Sequence, residues 1–343
     1  MNLRSTLLLT LALTVGASAA FAASTVSYTC DASIDATAAG TCNYLQTNIA
    51  SLYTSTFNNI DASIYIEETS PTGLGSSSQY YNYVTYSQYK NALVSTASSD
   101  AVDTSVLANL GLDTTAYGSK NVEITGALGT TLGFSSLTGT TAGGSSCTLG
   151  TLGCYDGVID IVTPAGLSAE TSGSQSIYWD QLGGSIGSTQ YDFYSIVQHE
   201  TDEILGTSSC ISTQSSLTDG CGSGVPSAVD LFRYSSSGTL VLLNSTPGAY
   251  FSYNGGATDG AGAGVYYNTI ANGDDYADFI NNCAQVQDAE GCLGAAQNIN
   301  TDGKAEINIL DAVGYNTTAP EPGTWFMLAT GLAGVAAIRR RRA

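Results

Sequence analysis

Polar and apolar positions along this chain follow two periods. Ala62-Ser63-Ile64-Tyr65-Ile66-Glu67-Glu68 alternates every second residue, the period of a half-buried strand. Asn121 to Thr125 is a second such segment, and Asp156 to Val162 is the clearest of them. Tyr44 to Phe57, Tyr83 to Ala97 and Tyr191 to Gly206 instead carry apolar groups at helical spacing. Shorter helical pieces are expected at Ser105 to Leu112 and Ile307 to Val313. Asp230 to Leu243 predicts a hairpin turning at Ser236-Ser237-Gly238, followed by a strand over Ala249 to Tyr253 and a turn at Asn254-Gly255-Gly256. Pro71-Thr72-Gly73 breaks the first strand, and the Gly/Ser/Thr tract Gly139 to Gly150 predicts a surface loop. Strands and helices intermix without a 20–50-residue repeat, which predicts an α+β domain with a mixed sheet.

The two ends depart from this pattern. Met1 to Arg4 is a short basic region, Leu7 to Val15 is apolar, and Ala17-Ser18-Ala19 and Ala20-Phe21-Ala22 offer small residues at signal-peptidase positions. Residues 1–22 therefore read as a signal peptide cut after Ala22. At the far end Pro320-Glu321-Pro322-Gly323 precedes an apolar segment, 324–338, and then Arg339 to Arg342. The basic end keeps that segment's terminus on the cytoplasmic side, so the body faces outward. This tail, 317–343, resembles the PEP-CTERM sorting signal of Gram-negative bacteria. The resemblance implies a precursor held in the inner membrane by 324–338, processed by signal peptidase and by an exosortase near Pro320 to Pro322, and a secreted product. The body would be residues 23–316, with a C-terminal subdomain starting near residue 225 as an alternative division.

Charge narrows the partners. The formal net charge is −20. Arg4 and Arg339 to Arg342 lie in the ends, leaving only Lys90, Lys120, Arg233 and Lys304 as bases in the body. Such a body is repelled by nucleic acid and anionic lipid. Cations, proteins, peptides and exopolysaccharide are the partners it fits. Eight cysteines fall in close pairs, Cys30 with Cys42, Cys147 with Cys154, Cys210 with Cys221 and Cys283 with Cys292. Export into an oxidising compartment favours four local disulfides. A cysteine-zinc site is the rival, but the chain has no Cys-x2-Cys knuckle.

The chemistry centres on His199, the single histidine. Within the helix expected over Tyr191 to Gly206, His199 and Glu203 are spaced i, i+4 and project together. Glu200 follows directly. A catalytic zinc takes about three protein ligands and keeps an open position. His199 and Glu203 suit as metal ligands, and Glu200 suits as the base that takes the proton of a water the metal activates. Gly206 ends the helix and lets the chain turn back toward the site.

His199-Glu200, Glu203 and Gly206 resemble the helix of metzincin metalloproteases, His-Glu-x-x-His-x-x-Gly-x-x-His. Glu203 replaces the second histidine, and the third falls on Ser209. Further pieces resemble metalloproteases found among PEP-CTERM exoproteins: Tyr83 to Leu93, Asp156 to Val162, Asp230 to Ser235, Tyr250 to Ser252 with Gly255-Gly256, and Leu310 to Tyr315. The resemblance implies a metzincin-like (zincin) catalytic domain. The only methionines are Met1 and Met327, so no methionine turn follows the helix. Asp219, Asp230 and Asp202 are the candidates for a third ligand.

Asn298-Ile299-Asn300-Thr301-Asp302-Gly303 has oxygen donors at alternate positions, as a calcium loop does, but position twelve is Ile309. Gly273 to Asp278 is a second acidic cluster with calcium as its candidate ion. A Ser-His-Asp hydrolase built on His199 lacks a Gly-x-Ser-x-Gly elbow. The leading expectation is a zinc-dependent metalloprotease of the extracellular or biofilm matrix. The alternative is an inactive relative that binds matrix or surface.

Overall fold

The computed structural model describes residues 24–69, 73–110, 120–162, 175–211, 225–242, 246–269, 275–280 and 283–318. The segment expected to be a signal peptide and residues 319–343 of the tail lie outside them. In chain order the elements are β1 (Thr25–Cys30), α1 (Ala32–Thr37), α2 (residues 41–56), β2 (Asp61–Thr69), β3 (Gly75–Gln79), β4 (Tyr81–Thr85), α3 (Tyr86–Thr96) and α4 (Ala101–Asn109). There follow β5 (Asn121–Thr125), α5 (Gly126–Thr131), β6 (Thr138–Thr141), β7 (Ser146–Thr148), β8 (Cys154–Tyr155), β9 (Gly157–Val162), β10 (Ser176–Tyr178) and β11 (Gln190–Asp192). The chain continues through α6 (Phe193–Asp202), β12 (Arg233–Ser236), β13 (Thr239–Leu240), β14 (Tyr250–Phe251) and α7 (Ala305–Val313). This is a mixed α+β architecture.

The main sheet runs β1-β2-β9-β3. The first three strands are parallel, and β3 closes one edge antiparallel to β9. Parallel neighbours need a crossover, which α1 and α2 supply between β1 and β2. In β2, Ala62, Ile64 and Ile66 are buried, as the alternation predicts. In β9 residues on both faces are buried, Val158, Ile159, Ile161 and Val162 among them, with the half-buried Asp160 the one interruption of its apolar run. Helix α6 and the turn that continues it pack against the sheet, the turn so closely that a Cβ on Gly157 would lie 2.5 Å from Ile204. Its floor is Phe193, Val197, Ile204 and Leu205, all fully buried in a core that reaches from Val26 to Tyr315.

Three expected boundaries move. Tyr83 to Thr85 belong to β4, paired with β5, because Thr85 and Gln88 form a capping box that starts α3 at Tyr86. Asp192 caps α6 at Ser195 N, so Tyr191 and Asp192 are in a strand. The tract expected as a loop at Gly139 to Gly150 instead contains the β6–β7 hairpin. Backbone pairing needs no apolar pattern, and the Cys147–Cys154 disulfide holds the second strand beside β8. Cys30–Cys42 and Cys283–Cys292 are also bonded. Cys210 is disulfide-bonded, and Cys221 lies outside the described residues. No helix among the described residues is long and apolar enough to cross a membrane.

Asp156 couples this fold to pH. Its Oδ2 accepts from Ser63 N at 2.8 Å, tying the start of β9 to β2. Burial pushes its carboxyl up to about 7, the Ser63 bond opposing this. Raised above its unfolded value of 3.8, it contributes stability that is present below that value and lost as pH rises through about 7. Each tenfold gain in proton affinity on folding corresponds to about 1.4 kcal/mol. Thermal melts between pH 5 and 8 are expected to show Tm falling with pH, and Asp156→Asn is expected to flatten that slope.

Candidate metal site

Glu200 of helix α6 and Glu203 in the turn after it face β3, while His199 faces the segment that carries Asp278 and Val286. The turn Glu203–Thr207 is a π-turn, and within it Gly206 adopts φ 127°, a conformation open to glycine alone at low cost. The chain thus leaves the helix at the glycine that was expected to end it. His199 Nδ1 lies 3.0 Å from the carbonyl of Val286. With the proton on Nδ1 donated to that carbonyl, Nε2 carries the lone pair, as in metal-ligating imidazoles. Nε2 is 3.8 Å from Glu203 Oε1 and 3.7 Å from Asp278 Oδ1. The ligand atoms of the three residues all lie within 4.8 Å of one another.

Each member is held from behind. Ser77 Oγ of β3 donates to Glu203 Oε2 at 2.5 Å. Val286 N donates to Asp302 Oδ2, and Gln287 N to Glu306 Oε1 of α7, which pins the loop under His199. Asp278 precedes Phe279, which is fully buried and stacks on Tyr267 with 5.7 Å between ring centres. Gln287 Nε2 donates to Asp278 Oδ1 at 2.9 Å and sits 3.3 Å from His199 Nε2. Glu200 lies beside the three ligands. Gly75 of β3 makes room for it, since a Cβ there would meet Glu200 Oε1 at 2.9 Å.

The site is starved of positive charge. Burial raises the Glu200 carboxyl well above its ordinary value, with Glu203 adding to the shift. Burial and then the charge of Asp278 do the same to Asp275. Burial pushes the His199 imidazole down, but Glu200 and Glu203 outweigh it and the net shift is upward. Each shift follows from acids crowded together away from water. One imidazole and two carboxylates with open positions fit a divalent first-row metal.

The other third-ligand candidates are placed elsewhere. Asp230 accepts from Ser209 Oγ, Cys210 N, Ser227 N and Ser227 Oγ, so it organises the chain after α6. Ser209, at the motif's third-histidine position, is used up in that contact. Asp202 accepts from Tyr53 Oη at 2.6 Å and faces α2. Asp219 lies outside the described residues. In the Asn298–Gly303 turn, Asn298 Oδ1 accepts from Asn300 N, and Asp302 accepts from Lys304 N and Val286 N. Those oxygens shape the turn and support the loop behind His199. Within the acidic cluster Gly273 to Asp278, Asp278 joins His199, and Asp275 accepts from Ser209 N and Ala277 N. The cluster is visible in the sequence, but no spacing there joins it to the helix. Gln287 had no signal at all.

Residues 318–342 match the PEP-CTERM protein-sorting motif. No curated protein and no solved structure matches the chain. The motif defines the class: an exosortase-sorted exoprotein. In this chain the motif implies processing by an exosortase during export, and it follows a disulfide-bonded α+β body.

Proposed function

We propose that the body is a secreted, zinc-dependent peptidase of metzincin-like type, with His199, Glu203 and Asp278 as metal ligands and Glu200 as general base. One observation carries this reading. A histidine whose Nδ1 is anchored on a backbone carbonyl turns Nε2 toward two carboxylates, with a third buried carboxylate next to it. When bound, the metal supplies polarisation of the scissile carbonyl and a lower pKa for the attacking water. Glu200 takes the proton of that water and returns it to the leaving nitrogen. A cation beside it draws its raised pKa back toward the operating pH, where a base works best. Ser77 keeps Glu203 turned to the site, and the Val286 carbonyl fixes the His199 tautomer. Gly75 lets β3 approach α6, so the sheet edge flanks the base.

A second reading has an observation of its own. The Gln287 amide lies against both His199 Nε2 and Asp278 Oδ1. That contact can replace a metal, leaving a catalytically inactive matrix- or surface-binding protein. Elemental analysis of the purified protein, with a casein or peptide-library assay, separates the two. The peptidase is expected to carry one zinc per chain and to lose at least about tenfold in zinc affinity, roughly 1.4 kcal/mol, on Asp278→Asn. Absence of stoichiometric metal ends the peptidase reading, and metal without cleavage favours the second.

A further inference from the structure

We propose that Asp100, Asp103 and Asp311 form a separate structural site for a divalent cation, calcium by its donor chemistry, which clips the last helix to α4. Their carboxylate oxygens lie within 4.8 Å of one another. Asp100 and Asp103 have a local reason to be where they are. Asp100 caps α4, accepting from Asp103 N at 2.9 Å, and Asp103 accepts from Ser98 N at 2.5 Å. Carboxylates in a first helical turn meet the positive end of the macrodipole.

Asp311 has no such reason. It comes from the last turn of α7, where the dipole end is negative and an anion is disfavoured. It is only 2% exposed, and its Oδ1 is buried without a hydrogen-bond partner. Among the described residues no base forms an ion pair with any of the three. Burial, then the charges of Asp100 and Asp103, push the Asp311 carboxyl up to about 9. A proton shared between Asp311 and Asp100 is the alternative way to relieve the cluster.

The donor set is oxygen only. The Ser98 and Thr317 hydroxyls both donate to Asp100 Oδ2, at 2.8 and 3.2 Å, and bring two neutral oxygens beside the carboxylates. Carboxylates and hydroxyls without nitrogen or sulfur select a hard cation. A calcium site in an extracellular module typically has a Kd of about 10⁻⁴–10⁻³ M. Thr317 directly precedes the sorting motif, which begins at residue 318. A filled site therefore fixes the chain at the point where its sorting tail starts.

The test uses the full chain, stripped with EGTA and titrated with calcium chloride by calorimetry and by thermal melting. The expected result is a Kd of about 10⁻⁴–10⁻³ M and a Tm that rises with calcium. Asp311→Asn keeps the shape and removes the charge. It is expected to be at least as stable as wild type in EGTA, to bind calcium at least about tenfold more weakly, a loss of roughly 1.4 kcal/mol, and to lose the calcium-dependent rise in Tm. His199→Ala is expected to keep both, which separates this site from the proposed peptidase centre. Folded wild type that binds no calcium would overturn the proposal and leave only the shared proton. Undiminished calcium binding by Asp311→Asn together with Asp103→Asn would overturn it too.

Discussion

Glu200→Gln is expected to leave zinc content unchanged and to lower casein cleavage by about 10²–10⁴-fold. The amide keeps the size of the side chain in the space that Gly75 leaves for it, so the β3–α6 contact survives. What disappears is an acceptor for the water proton. His199→Ala is expected to lose metal and cleavage together, because Nε2 is the one nitrogen in the ligand set. The two variants therefore give different patterns if Glu200 is the base and His199 the ligand. Equal losses of metal in both would mean that Glu200 is itself a ligand, and the assignment of roles would fall.

Arg233→Met is expected to cost roughly 2–5 kcal/mol and to weaken zinc binding without touching a ligand. Arg233 is 1% exposed and is the body's only arginine. It donates to the carbonyls of Tyr276 at 2.6 Å and Asn268 at 3.4 Å, and lies 4.5 Å from the centre of the Tyr267 ring. These contacts bind β12 to the segment that carries Asp278. Methionine fills much of the volume but leaves both carbonyls without this donor. Urea denaturation reads the stability, and a competition assay with a zinc chelator reads the affinity. A variant that loses stability but holds zinc at wild-type affinity would show that Asp278 is positioned by other contacts.

The sequence was most legible where one residue's environment repeats along an element. Ile64 and Ile66 share a face, and Phe193, Ile196 and Val197 recur at i, i+3 and i+4 on the buried side of the site helix, so period alone located β2 and α6. His199 and Glu203 were legible for the same reason, since a helix turns an i, i+4 spacing into proximity. Asp278 was not. It reaches His199 through Phe279 stacked on Tyr267 and a loop pinned by α7, contacts that no local spacing encodes. The β6–β7 hairpin was missed because Thr138–Thr141 and Ser146–Thr148 pair through backbone amides and carry little apolar signal. In α2 the π-turn Leu45–Ile49 adds a residue to one turn, which a 3.6-residue period does not register.

The three disulfides within the described residues span 12, 7 and 9 positions. A chain threaded through a translocation channel emerges from its N-terminus onward. Each of these pairs is complete within 12 residues of its first cysteine appearing, so the right partner is the nearest one at the moment of oxidation. Cys30 can close on Cys42 before Cys147 has left the cytoplasm. Bond formation is then written in the order of emergence, and shuffling between distant thiols has little opportunity to begin. The loops so closed are short, so each bridge fixes its own corner early and leaves the larger assembly of sheet and site helix free to fold after the chain has crossed.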